Sequence, residues 1–195
     1  MFVTFEGIDG SGKTTQARLL AERLEREGVD VVLTREPGGT PLGEAVRDLV
    51  LHGEHVAPWA EVALYAAARA QHVDQVIRPA LERGATVVCD RYVDSSAAYQ
   101  GGARRLGVDT VLELNLTVVG GLMPDRTVLV EISPETAAAR VGGSGDRIER
   151  DGVALWARAA EAYRDLAARD RRRYVVVDGT RPVDELAEEI HGHLR

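Results

Sequence analysis

The chain has a single cysteine among its 195 residues, Cys89, which excludes an intramolecular disulfide and a cysteine-built metal cage. Set in Thr86-Val-Val-Cys89, it is expected to be a buried strand residue. No run of about 18 apolar residues is present, so no membrane-spanning helix is expected. The opening Met1-Phe-Val-Thr-Phe-Glu6 lacks a basic flank and a cleavage site, so the expectation is no signal peptide and a cytoplasmic protein. A basic excess is missing too: the net charge is -7, which argues against a nucleic-acid backbone as partner. Arginines can still be focused in a cleft for a smaller anion while the remaining surface stays acidic. Internal repeats, low-complexity tracts and dividing linkers are absent, and 195 residues suit one domain spanning 1–195.

Lysine is scarcer still in proportion to its charge class. Of 24 Lys plus Arg, only Lys13 is a lysine, and it stands in Gly7-Ile-Asp9-Gly10-Ser11-Gly12-Lys13-Thr14, which fits G-x-x-x-x-G-K-[ST]. Phe2 to Phe5 reads as a buried strand before it, and Gln16 to Arg26 as a helix after it, closing on Gly28. That strand-loop-helix context predicts a phosphate cradle. The backbone from Gly7 through Asp9, Gly10, Ser11, Gly12, Lys13, Thr14 and Thr15 turns N–H groups toward an anion at a helix N-terminus. Lys13 reaches the β- and γ-phosphates of a nucleoside triphosphate, and the Thr14 hydroxyl ligates Mg²⁺. A chain biased so far toward arginine keeps a compact ammonium at this one point, where a planar fork would serve differently.

The remaining pattern alternates strands and helices. Strands are expected at Val29–Thr34, Ala85–Cys89, Thr127–Ile132 and Tyr174–Asp178; helices at Leu42–Leu51, Pro58–Arg83, Val108–Val119, Pro134–Arg140, Gly152–Arg172 and Val183–Leu194. This order predicts an α/β, three-layer P-loop fold: a five-stranded parallel sheet flanked by helices, with a short lid. Asp90 ends the third strand, where the ligand crevice of a parallel sheet lies, so it is a candidate to order Mg²⁺. The block Val93 to Gly102 reads as a polar patch with an aromatic, suited to a base and a sugar. Gly142 to Arg150 combines glycines with Arg147 and Arg150, the composition of a closing lid at about 141–152.

A phosphate cradle serves several classes of protein. A GTPase would need Asn-Lys-x-Asp, which the single lysine forbids, and no strand ends in the acidic pair of a motor ATPase. A small-molecule kinase needs an acceptor cleft, arginines for the acceptor phosphate and a lid that excludes water, and the chain offers all three. An acceptor that is already a phosphate needs no general base. Arg91 and Arg147 are the candidate bridging charges.

Taken together, Glu6-Gly7-x-Asp9-Gly-x-Gly12-Lys13-Thr14-Thr15, Thr34-Arg35-Glu36-Pro37-Gly38-Gly39-Thr40, Asp90-Arg91-Tyr92-x-x-Ser95-x-x-Ala98-Tyr99-Gln100-Gly101 and Asp146-Arg147-x-Glu149 resemble bacterial thymidylate kinases over nearly the whole chain. The resemblance implies phosphoryl transfer from Mg-ATP to dTMP by a homodimer. It also implies roles by residue. Asp9 would contact the deoxyribose 3'-hydroxyl, Tyr65 would stack on thymine, and Arg69 would hydrogen-bond the base. Arg47 and Gln100 would be further base-side contacts, with Ser96 a polar neighbour and Pro37 in the same binding set. Tyr99 would crowd the sugar 2' position, and Arg35 and Arg91 would lie near the acceptor phosphate. Two departures stand out: Ala68 replaces a frequent acidic residue, and the lid is glycine-rich with Arg140, Arg147 and Arg150 as its cations. Gly10 means that the P-loop carries no arginine of its own, which assigns the catalytic arginine to the lid at Arg147. The alternatives are a kinase for another deoxynucleotide or deoxynucleoside, and a nucleotide-binding module without turnover.

Overall fold

The computed structural model describes residues 1–141 and 152–194. Strands β1 (Phe2–Glu6), β2 (Val31–Arg35), β3 (Thr86–Asp90), β4 (Arg126–Glu131) and β5 (Tyr174–Asp178) form one parallel sheet in the order β2-β3-β1-β4-β5. Central β1 is buried along its whole length between β3 and β4, which is why its sequence reads as a nearly unbroken apolar run. Alternate residues feed opposite faces. Val3, Phe5, Val88, Val128 and Val130 pack with Leu20 and Leu24 of α1 (Lys13–Arg26) and with Leu186 and Ile190 of α9 (Val183–His193). Phe2, Val87 and Cys89 face the other way, onto Val73 and Ile77. Cys89 is buried as expected, and burial pushes its thiol well above the ordinary range.

The chain runs from β1 out to β2 on one side and returns past β3 to β4 on the other. The carboxyl end of β1 therefore sits where the connections diverge, the crevice in which open parallel sheets bind ligands. The remaining helices are α2 (Pro41–His52), α3 (Pro58–His72), α4 (Arg78–Glu82), α5 (Val93–Ser96), α6 (Val108–Val118), α7 (Pro134–Val141) and α8 (Val153–Arg169).

Two helical stretches differ from expectation. The single helix expected over 58–83 is instead α3, a π-helical turn Val73–Ile77, and α4. Pro79 supplies the reason: its ring removes a donor and crowds the carbonyl four residues back. The turn before it widens, so that the Arg78 N–H bonds the Val73 carbonyl five residues behind. The block read as a polar patch is also helical, α5 leading into a π-helical segment Ala97–Ala103. Within it, Gly101-Gly102 is there for close packing. A Cβ on Gly102 would stand 2.6 Å from the Ala162 Cβ of α8, and one on Gly101 2.7 Å from the Val108 Cα.

Candidate active site

Beyond β1 the chain turns at three glycines with positive φ, Gly7, Gly10 and Gly12, the last at the N-terminus of α1. A Cβ on Gly7 would lie 2.5 Å from the Val130 carbonyl oxygen of neighbouring β4, so this turn accepts no side chain. A Cβ on Gly10 would meet the Ala137 carbonyl and the Val141 side chain of α7, each at 3.1 Å. The missing P-loop arginine thus has a steric counterpart, because α7 lies against the loop. From α7, Arg140 donates to the Gly10 carbonyl at 3.1 Å and to the Gly179 carbonyl at 3.0 Å. Arg147, Arg150 and nearly all of the expected lid lie outside the described residues.

Lys13 is buried at the head of α1, where its ammonium donates to the Ile8 carbonyl at 3.3 Å and stands 3.7 Å from Asp9. Burial and the neighbouring Arg91 guanidinium push its pKa down, against the pull of Asp9 and Asp90. The Thr14 hydroxyl donates to Asp90 Oδ2 at 2.5 Å, so the expected metal pair meets. Asp90 Oδ1 is buried with no partner among the described residues. Two adjacent hard oxygen ligands, one of them unsatisfied, fit Mg²⁺. The Asp90-Arg91 dipeptide is no surface ion pair. Arg91, at φ 71, turns its guanidinium the other way onto Asp9.

Asp9 is the junction of the site. Its Oδ1 pairs with Arg91, and its Oδ2 accepts from Tyr99 Oη at 2.8 Å and from Trp156 Nε1 at 3.3 Å. Burial alone would raise its pKa, but Arg91 and Lys13 outweigh it and hold the carboxyl well below the usual range. Behind Arg91 lies a second set of contacts: its Nη1 donates to the Gly7 carbonyl, to Ser95 Oγ at 3.1 Å and to Tyr163 Oη. Ser95 and Tyr163 in turn donate to Glu6 Oε2 at 2.6 and 2.8 Å, and the Tyr92 N–H donates to Glu6 Oε1 at 2.8 Å. Glu6 thereby holds both the backbone after Arg91 and two groups that orient its side chain.

Glu6 is fully buried, and its pKa is raised to about 7 by burial and by the charge of Asp94, against hydrogen bonds from Ser95 and Tyr163. The folded protein keeps this proton above the 4.5 at which an exposed glutamate releases it. Between those values the folded state binds more protons than the unfolded one, so this group makes stability fall as pH rises toward 7. Glu6→Gln is expected to flatten that part of the dependence. Melting temperatures of both proteins from pH 5 to 8 check it, and parallel curves would show that Glu6 does not titrate there.

A cleft of about 100 Å³ lies beside this junction and opens to solvent. It is lined by Asp9, Glu36, Pro37, Arg47, Leu51, Tyr65, Arg69, Arg91, Ser95, Ser96, Tyr99 and Gln100, a lining suited to a small polar ligand. The structure brings together every acceptor-side residue named from the sequence except Arg35. Successive strand residues face opposite ways, so at the end of β2 Glu36 turns into the cleft while Arg35 turns out. Arg35 pairs with Glu44 of α2 at 3.0 Å and lines a separate cavity with Thr14, Thr15 and Asp90.

Arg69 is buried, with Nε on Glu36 Oε2 at 2.6 Å, Nη1 on Ser96 Oγ at 3.1 Å and on Asn115 Oδ1, and Nη2 on the Tyr92 carbonyl at 3.1 Å. Glu36 also receives His72 Nδ1 at 3.0 Å, while His72 Nε2 meets Thr34 Oγ1 at 2.7 Å. Arg47 donates to the Pro37 carbonyl at 3.0 Å. Sequence reasoning assigned no role to Glu36, Glu6, Ser95, Trp156, Tyr163 or Asn115. Trp156 and Tyr163 carried a signal: seven residues apart on α8, two amphipathic aromatics share one face of that helix.

A family model described as thymidylate kinase matches residues 5–190. The chain is 50% identical over 186 residues to the thymidylate kinase of Pelotomaculum thermopropionicum, covering 92% of this chain and 86% of that one. It is 50% identical over 198 residues to the thymidylate kinase of Leifsonia xyli subsp. xyli, covering 100% of this chain and 94% of the other. The crystal structure of thymidylate kinase from Ehrlichia chaffeensis matches with a TM-score of 0.83 at 35% identity, over 100% of this chain and 97% of that one.

Proposed function

The chain belongs to the thymidylate kinase family, and from that premise we propose how its own residues carry out the reaction. The enzyme transfers the γ-phosphoryl group of ATP to dTMP, giving dTDP and ADP. The P-loop holds the ATP phosphates through the backbone of residues 7–15, and Lys13 neutralises charge that develops on the transferred group. Arg91 steadies the acceptor phosphate, with Asp9, Ser95 and Tyr163 holding its guanidinium in place. The acceptor oxygen is already anionic and needs no base, so the residues act by alignment and charge. Tyr65, Arg69, Ser96 and Gln100 receive the base, while Asp9 and Tyr99 meet the sugar.

The observation that carries this reading is the shared wall. Asp9 belongs to the phosphate loop, stands 3.7 Å from Lys13, pairs with Arg91 and also lines the neighbouring cleft. A donor site and an acceptor site that share a carboxylate and an arginine suit transfer between two phosphates, whereas a binding module has no need of the second cleft.

Thr14 and Asp90 would hold Mg²⁺, which when bound neutralises the β- and γ-phosphate oxygens. Asp90→Asn is expected to raise the Mg²⁺ concentration for half-maximal activity by about 10-fold or more. An unchanged Mg²⁺ titration would remove Asp90 from this role. One domain over 1–195, a cytoplasmic setting and a homodimer complete the proposal. For the dimer, α2, α3 and α6 pack together and leave Leu42, Leu49, Trp59 and Val118 exposed, and sedimentation equilibrium tests it. ADP release measured across dTMP, dUMP, dCMP, AMP and thymidine tests the reaction. Preferred turnover of dTMP is expected; preference for another acceptor would overturn the assignment.

A further inference from the structure

Gln100 lines the cleft, yet it is almost fully buried and its amide is not free to turn. Its Nε2 donates to Glu61 Oε1 at 2.7 Å. Glu61, buried on α3, is paired through Oε2 with Arg104 at 3.4 Å. A carboxylate held by an arginine offers acceptors only. Rotating the Gln100 amide by half a turn would put its carbonyl oxygen against that carboxylate, leaving two buried acceptors face to face and a hydrogen bond unmade. The Gln100 carbonyl oxygen itself has no partner among the described residues.

Arg69 shows the complementary restriction. Four of its N–H groups are spent on Glu36, Ser96, Asn115 and the Tyr92 carbonyl, which leaves one Nη2 hydrogen for a ligand. Arg69 and Gln100 therefore offer a base one fixed donor and one fixed acceptor. A pyrimidine-2,4-dione presents a ring N–H beside a carbonyl and matches that order. Cytosine presents a bare ring nitrogen beside an amine, and would set acceptor against acceptor at Gln100 and donor against donor at Arg69.

We propose that Glu61 is a specificity-determining residue that acts through Gln100, fixing the amide so that its oxygen faces the base and the enzyme accepts a ring N–H while rejecting a cytosine-type edge. The inference rests on the assignment of Gln100 to the base. Glu61 touches no substrate; it is a positioning residue. A purely structural role would lower activity toward all acceptors alike, whereas this role changes their ratio.

The test compares kcat/KM for dTMP with kcat/KM for dCMP in the wild type, Glu61→Gln, Gln100→Leu and the double variant. A glutamine at 61 that keeps its oxygen on Arg104 turns its amide N–H₂ toward Gln100, which favours the opposite orientation of the Gln100 amide. The dTMP:dCMP ratio is expected to fall about 10-fold in Glu61→Gln, with KM for ATP unchanged. In the Gln100→Leu background the same substitution should change the ratio no further. If Gln100→Leu collapses the ratio while Glu61→Gln leaves it alone, the inference is overturned and the base contact stands. If Gln100→Leu leaves the ratio unchanged, the base contact fails and the inference with it. Should Glu61→Gln not fold, the wild type decides by NMR: the Gln100 side-chain N–H resonances are expected to stay protected and nearly unshifted on adding dTMP, and a large shift would overturn the proposal.

Discussion

Lys13→Ala is expected to lower kcat by about 10³-fold with little change in melting temperature. Both halves follow from where the ammonium sits. It is the one lysine of the chain, buried at the first turn of α1, and its protein contacts are weak: one carbonyl at 3.3 Å and one carboxylate at 3.7 Å. Deleting it does not strand Asp9, which keeps Arg91, Tyr99 and Trp156. Burial already presses on the charged form, so the fold gains little from this ammonium. What disappears is a fixed positive charge aimed where negative charge spreads during transfer. Arginine should not restore it, because a planar fork needs room that a loop closed against Val130 does not give. ADP release with saturating dTMP, alongside thermal melts, checks the pair of outcomes. Near-normal kcat would remove Lys13 from the reaction.

Arg69→Ala is expected to damage stability and acceptor binding together. On sequence grounds the substitution should chiefly raise KM for dTMP. The structure adds a second cost, because Arg69 is 2% exposed and Glu36, also buried, loses its charge partner and among the described residues keeps His72. Removing one member of such a pair costs roughly 3 kcal/mol or more, since the carboxylate left behind is neither solvated nor neutralised. At this chain length that is a fall of roughly 10 °C in melting temperature. Arg69→Lys should recover little of it, because one ammonium cannot span Glu36, Ser96, Asn115 and the Tyr92 carbonyl. Arg69→Ala with Glu36→Gln should recover part of the stability but none of the dTMP affinity. A stable Arg69→Ala protein with only a raised KM would show that the network carries no structural load.

The sequence by itself determined what depends on neighbours along the chain. A phosphate cradle is a local object: seven or eight consecutive residues between a strand and a helix specify the glycine turns, the ammonium and the hydroxyl. Strand and helix alternation likewise determined a parallel sheet with two covered faces, because period-two and period-3.6 patterns are read within a few residues. Tertiary structure alone decided the partners. Glu6, Glu36, Glu61 and Tyr163 are ordinary polar residues in an ordinary strand, loop and two helices until packing brings Glu36 to Arg69, Glu61 to Gln100 and Tyr163 to Arg91 across 33, 39 and 72 positions of sequence, and Glu6 to Tyr163 across 157. It also decided that Arg35 leaves the cleft that Glu36 enters, since one step along a strand reverses the side chain. Gly101-Gly102 proved to mark a close helix crossing. A buried polar side chain takes its meaning from the group it is forced to satisfy, and that group is chosen by the fold and not by the neighbouring residues.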